Sequence, residues 1–399
     1  MSRFRSRRLC RYLSWMKISL YIHIPFCLRK CLYCDFNSGP SDSKVRSSYV
    51  ENLLREIVIK SAEYLDREVI SIFFGGGTPS VLEAEDISRI METVRESFFL
   101  SDDCEVSMEV NPATDRNRQY FEALRSSGVN RLSIGLQSAD DAELKKLGRL
   151  HNRATFEDTY MEAVRAGFEN INIDLMSGIP GQTTDSLIRT LEYVTSLSPA
   201  PSHVSAYSLI IEEGTPFGQI YAKESPKLAE LPSEEEEREM YYKTEEFLAK
   251  HGYVHYEISN YAKEGYECRH NTVYWQRGDY LGLGLESSSK IGNRRWKNAH
   301  TLEEYMQPGG FAERFQEEEL SACDEMEETV FLGLRMMKGI SITEFENTFR
   351  TSFPEHFREV ADKYIKLGLI EESDDTDRLM LTKEGISVSN VIFTDFLFT

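Results

Sequence analysis

Three cysteines, Cys27, Cys31 and Cys34, lie within eight residues in the spacing CxxxCxxC. Thiolates this close can hold three irons of a [4Fe-4S] cubane, and the missing fourth ligand leaves one iron open to an exogenous chelate. Zinc is the alternative. It usually takes four ligands in paired spacings, and the nearby candidate is His23, which alternates with Tyr21 as a strand residue would. Farther along stand other groups suited to a small charged ligand: Gly75, Gly76 and Gly77 before Thr78 and Pro79, then Glu109 ahead of Asn111 and Pro112, Gln137, Arg149 with His151, and Asp174. A triple glycine lets backbone approach a ligand closely, and equally it could simply end a strand. His270, Asn271, Tyr274 and Trp275, with Cys268 just before them, set an imidazole beside two large rings. Such a group can ligate haem iron and shelter a porphyrin face, or form a packed aromatic turn around a hydrogen-bonded histidine.

These residues need elements to position them. From Ser19 onward, short β-branched or apolar runs alternate with longer helical patterns. Strands are expected at Ser19–Ile24, Val69–Phe74, Glu105–Val110, Arg131–Gly135, Ile171–Leu175 and His203–Ser208, with helices at Ser48–Tyr64, Ala84–Phe98, Arg153–Ala166 and Asp185–Leu197. Repeated βα units demand a parallel sheet with right-handed crossovers, and six of them suit a partial barrel. The candidate residues up to Asp174 then fall at or just past the carboxyl ends of successive strands, the edge on which barrel enzymes build their sites. Glu234–Lys250 reads as a charged helix and Tyr253–Trp296 as a mixed aromatic segment. Helices at Glu327–Met337, Ile342–Phe349 and His356–Leu367, a charged loop at Glu371–Arg378 and a strand at Leu379–Leu381 suggest a winged-helix-like α+β module. The expected organisation is an arm over residues 1–18, a core over 19–233, a connecting region over 234–323 and the terminal module over 324–399.

Composition narrows the functional classes. The chain of 399 residues carries 46 basic and 66 acidic side chains, a net charge of −20, which repels phosphate backbones; nucleic acid is not an expected partner. No run of eighteen apolar residues occurs, so no membrane span is expected. Seven scattered cysteines without a secretory signal argue against a disulfide framework and for a reducing compartment, the cytoplasm. Met1–Trp15 is rich in Arg and Ser and free of acids, and it reads as an over-long start or a disordered arm, with Met16 as the alternative first residue, rather than as a transit peptide.

The cysteine spacing followed by a βα barrel resembles the radical S-adenosylmethionine (SAM) superfamily. That resemblance implies an α/β fold with a partial (β/α)6 barrel, and a [4Fe-4S] cluster on Cys27, Cys31 and Cys34 whose open iron is chelated by the methionyl group of SAM. One-electron reduction then releases a deoxyadenosyl radical. It also implies a SAM pocket formed by Tyr21, Tyr33 against the adenine, Gly76, Gly77, Thr78, Glu109 for the ammonium group, Gln137, Arg149 for the carboxylate and Asp174 for the ribose.

Nearly the whole run from Tyr21 to Leu381 resembles one branch, the oxygen-independent coproporphyrinogen III oxidases and their haem-chaperone relatives. The matching stretches include Tyr21–Cys27, Gly75–Ser80, Glu109–Pro112, Arg131–Ser138, Asp174–Thr183 and Tyr256–Ala262. The oxidases carry a fourth cysteine two residues after the third; here that position is Phe36, as in the chaperones. His270–Trp275 fits the HNxxYW pattern that the branch associates with haem binding through His270, Asn271, Tyr274 and Trp275. After Gly282–Gly284 the branch usually has small residues and a histidine, whereas this chain reads Leu285–Lys290 as LESSSK. The implied function is a haem chaperone that passes haem, as cargo, to an acceptor protein and draws on an electron donor, without coproporphyrinogen oxidase activity; the alternative is the oxidase itself.

Overall fold

Alternation along the strands decides what the barrel encloses. The computed structural model describes residues 15–373 and 377–397, so the expected arm up to residue 14 lies outside the described residues. On β1 (Met16–Ile24), Ile18, Leu20, Ile22 and Ile24 are fully buried in the main core, while Tyr21 and His23 face an interior cavity. Strands and helices then alternate through α1 (Ser43–Ser61), β2 (Arg67–Gly76), α2 (Ala84–Ser97), β3 (Phe99–Val110), α3 (Arg118–Ser126), β4 (Arg131–Gln137), α4 (Asp141–Lys146), α5 (Arg153–Arg165), β5 (Asn170–Ser177), α6 (Thr184–Ser196) and β6 (His203–Ser208). Outward positions such as Ile72, Phe74, Leu132, Ile134, Ile171 and Ile173 pack in the core that also takes the buried faces of the helices.

Strands β1 to β6 pair in sequence order, all parallel, which is the expected partial barrel. Its inward positions are polar and bonded to one another. Ser19 and Ser71 hydroxyls are 2.6 Å apart; Asn172 Nδ2 donates to Ser133 Oγ at 2.7 Å, and Ser205 Oγ donates to Asn172 Oδ1 at 3.1 Å. These bonds satisfy the buried hydroxyl and amide groups they join inside the barrel.

The sheet extends past both edges of this core. After α7 (Pro216–Ile220) and α8 (Glu234–Lys250), the hairpin β7 (Val254–Glu257) and β8 (Asn260–Ala262) adds antiparallel to β6. Following α9 (Arg269–Trp275), β9 (Tyr280–Leu283) lies parallel to β1, and β10 (Ser288–Ile291), β11 (Arg294–Lys297) and, beyond α10 (Leu302–Met306), β12 (Phe315–Glu319) continue that edge antiparallel, for twelve strands in all.

The terminal module has its own core. It runs α11 (Ala322–Gly333), β13 (Ile340–Ser341), α12 (Ile342–Phe349), α13 (Phe353–Lys366), β14 (Ile370–Ser373) and β15 (Arg378–Leu381), with strand order β13-β15-β14, followed by α14 (Lys383–Ser387) and α15 (Ser389–Asp395). This is the expected winged-helix-like arrangement. Two expectations need correction: α11 starts and stops earlier than Glu327–Met337, and the stretch read as a charged loop begins with β14, whose Glu371 and Glu372 sit on a wing hairpin. Among the described residues no helix is long and apolar enough to cross a membrane.

Candidate functional site

The rim at the carboxyl ends of β1 to β6 holds two adjoining spaces. The smaller, about 140 Å³, is walled by Cys27, Cys31, Cys34, Tyr33, Gly76, Gly77, Thr78, Glu109, Gln137, Arg149 and Asp174. Its neighbour, about 1020 Å³, shares Tyr33, Phe36, Gly76, Glu109, Gln137 and Asp174 with it and adds Tyr21. Every residue expected around the cluster and SAM therefore lies on one continuous wall.

The cysteine loop leaves β1 directly and is pinned by backbone bonds: Cys27 N–H donates to Gly39 O at 2.9 Å and Cys34 N–H to Cys31 O at 3.3 Å. Thr78 Oγ1 lies 3.4 Å from Cys27 Sγ, and Arg149 Nη1 lies 3.7 Å from Cys31 Sγ while Nη2 donates to Gly135 O at 2.9 Å. Among the described residues no three His, Cys, Asp or Glu side chains could hold one metal ion. Cys27, Cys31 and Cys34 line one chamber, where they could serve as ligands of separate irons in one cluster. Burial pushes the Cys34 thiol up, a cost that ligation as thiolate would offset.

The wall beside the thiols fits a compact zwitterion. A Cβ on Gly77 would come within 2.7 Å of Phe26 O and 2.9 Å of Phe26 N, so only glycine lets β2 lie against the start of the cysteine loop. Gln137 ends β4 at φ 64, where the β4–β5 register slips, and among the described residues its buried Oε1 has no partner, nor has the buried Arg149 Nε. An acceptor and a cationic donor left open in this way match an ammonium and a carboxylate. Glu109 lines both chambers. Burial, and next Asp174, push its carboxyl up to about 8, while the Gly76 N–H holds it down. Asp174 is also raised by burial, and is restrained by Ser133 Oγ at 3.0 Å and Asn172 Nδ2 at 2.8 Å.

The aromatic stretch is helical. It forms α9, inside the barrel below the rim, with the Glu105 carboxylate accepting from Arg269 N–H at 3.0 Å and His270 N–H at 3.3 Å. His270 is 1% exposed; its Nδ1 is 3.0 Å from Ser71 Oγ, its Nε2 2.9 Å from Tyr274 Oη, and its ring stacks on Phe73 at 5.1 Å. With both nitrogens engaged, this imidazole is not free to ligate iron as placed. Trp275 turns away from the cavity beneath the Arg335 guanidinium, 4.2 Å from the ring centroid. Asn271 and Tyr274 do line the large cavity, whereas Cys268 is fully buried, its thiol 3.6 Å from Glu105 Oε1.

Sequence reasoning missed much of the larger cavity: Arg131, Ser133, Asn172, Ser205 and Tyr207 on its floor, and Glu286, Lys297 and His300 from the β9–α10 region. The floor residues could have been found, because polar side chains recur at every second position of strands that are otherwise apolar. No comparable period marks the loop residues.

Comparison with known proteins agrees with this geometry. The model of the radical SAM superfamily matches residues 21–194, and that of the HemN C-terminal domain matches residues 320–388. The heme chaperone HemW of Lactococcus lactis is 36% identical over 379 residues, covering 95% of this chain and 97% of its own. Its Escherichia coli counterpart is 38% identical over 275 residues, 69% and 70% of the two chains. Among solved structures, coproporphyrinogen III oxidase (HemN) from Escherichia coli, described as a radical SAM enzyme, superposes with a TM-score of 0.82 at 26% identity, over 98% of this chain and 92% of that one.

Proposed function

This chain belongs to the radical SAM superfamily, within the HemW/HemN family, and from that premise we propose that it is a haem chaperone, holding a [4Fe-4S] cluster and SAM and passing haem to an acceptor protein. Phe36 carries the reading. It stands two residues after Cys34, where the oxidase pattern has its fourth cysteine, and it is 65% exposed at the junction of the two chambers. An apolar ring at that place offers a porphyrin a face where the oxidase pattern has a thiol.

The residues divide the work. Cys27, Cys31 and Cys34 would hold the cluster, which together with SAM supplies one-electron reductive chemistry at a sulfonium. Arg149 orients the methionyl carboxylate, Glu109 receives the ammonium group once it gives up its proton, Asp174 takes the ribose hydroxyls, and Tyr33 covers the adenine. The large cavity takes the cargo. Its volume sits at the upper end of the roughly 300–1,000 Å³ of ordinary ligand sites, which suits a flat macrocycle entering edge-on. Asn271 and Tyr274 contribute to its wall, while His270 and Trp275 support that wall from behind. A thiolate-held cluster requires a reducing compartment, so the cytoplasm, an electron donor and a haem acceptor belong to the same proposal.

Haem added to anaerobically purified, cluster-loaded protein should produce a saturable Soret band at one haem per chain. A wild-type protein that produces none would refute the chaperone reading. The intact SAM wall and the full-length likeness to the oxidase support a second reading, oxidative decarboxylation of coproporphyrinogen III. Anaerobic incubation with that substrate, SAM and reductant should leave it unconverted; turnover would favour the oxidase.

A further inference from the structure

We propose that His300, oriented by Glu286, is the axial ligand that holds haem iron at the mouth of the large cavity. The inference rests on the chaperone reading and supplies the iron ligand that His270, as placed, cannot.

Two histidines line the cavity, His23 and His300. His23 is buried, its Nδ1 3.1 Å from Tyr21 Oη and its Nε2 3.4 Å from Asn37 O. Of the other buried imidazoles, His203 lies 2.6 Å from Asn172 Oδ1 and 2.8 Å from Tyr256 Oη, both nitrogens of His270 are bonded, and His151, its Nε2 3.3 Å from Leu136 O, lines neither chamber. His300 differs from all of them. Its Nδ1 is 2.8 Å from Glu286 Oε1, and among the described residues its Nε2 has no hydrogen-bond partner.

A ring whose one nitrogen is held by a carboxylate while the other is open is the usual arrangement of a metal-ligating histidine. The carboxylate fixes the tautomer and strengthens the donor. Both members of the pair are braced. Glu286 sits at φ 53 in the turn between β9 and β10, its N–H donating to Ala299 O at 2.8 Å. Asn37 Nδ2, from the cysteine loop, donates to His300 O at 2.7 Å, which ties the ligand to the cluster side of the cavity.

The position also suits a cargo that must leave. The His300 side chain is 71% exposed, so iron bound there would be open to attack by an acceptor's ligand, whereas iron deep in the barrel would not. Lys30 and Lys297 line the same cavity and supply ammonium groups for the carboxylates of a porphyrin.

The test titrates hemin into full-length wild-type, His300→Ala and Glu286→Gln proteins, following the Soret and visible bands, ferric electron paramagnetic resonance and the haem potential. In His300→Ala the histidine-ligated signature should disappear and affinity should fall at least about tenfold, and exogenous imidazole should restore the signature. Glu286→Gln should keep the ligand and raise the haem potential, because the imidazole becomes a poorer donor, an effect a merely structural role would not produce. If wild type binds haem and His300→Ala gives the same spectrum and affinity, this assignment is overturned and the chaperone reading survives. If wild type itself binds none, that reading fails first.

Discussion

Glu109 is where residue chemistry has the sharpest consequence. With its carboxyl at about 8, raised by burial and then by Asp174, the ligand-free protein holds a proton there at neutral pH. Its folded-state affinity for protons exceeds the unfolded one, so ionisation penalises the folded state as pH rises from the usual carboxylate range to about 8. An ammonium group brought alongside favours the charged form, so SAM binding should release this proton. Glu109→Gln is therefore expected to do two opposite things. It should raise the melting temperature of ligand-free protein at pH 8, with the gain shrinking towards pH 5, and it should weaken SAM binding at least about tenfold, or roughly 1.4 kcal/mol. Differential scanning fluorimetry across that pH range and calorimetric titration of cluster-loaded protein check the two halves. A variant that binds SAM normally would remove Glu109 from the pocket.

At the scale of elements, the site depends on β1 and β2 ending side by side. Gly77→Ala would drive a methyl into the backbone of Phe26 rather than into a yielding side chain. We expect about 1–3 kcal/mol of destabilisation, measured by urea unfolding, together with reduced iron loading because the displaced segment carries Cys27. Normal loading and stability would show that the loop and the strand are not coupled. The same scale explains what could be read from sequence. All six central strands were legible because buried parallel strands are dense in β-branched residues, as in Ile171–Leu175, and α12 fell at the expected residues. Strands β11 and β12 were not: RRWK and FQEEE are charged edge segments, whose pairing depends on partners far along the chain. The amino-terminal half of β3 was hidden likewise by Asp102 and Asp103, and β14 by Glu371 and Glu372. The residues lining the smaller chamber could be gathered from sequence because several of them, Gly76, Glu109, Gln137 and Asp174, lie at or near strand ends. The environment of His270 was not, since the partners that occupy its ring, Ser71 and Tyr274, and the cap Glu105 are brought to α9 by tertiary packing.

Across the whole molecule, α9 links the cavity to the terminal module. One of its faces gives Asn271 and Tyr274 to the cavity, while Trp275 lies under Arg335 and Arg277 Nε is 3.1 Å from Glu328 Oε2 on α11. Backbone bonds complete the junction, with Ile258 N–H donating to Arg335 O at 3.1 Å and Met337 N–H to Tyr256 O at 3.0 Å. Everything assigned to the barrel still depends on the chamber among the three thiols holding a cubane with one iron open. Anaerobic reconstitution, followed by electron paramagnetic resonance of the reduced protein with and without SAM, tests that most directly. The account predicts iron and sulfide in equal amounts and a reduced-cluster signal that changes when SAM is added. Protein that takes up neither iron nor sulfide, or a signal indifferent to SAM, would contradict it.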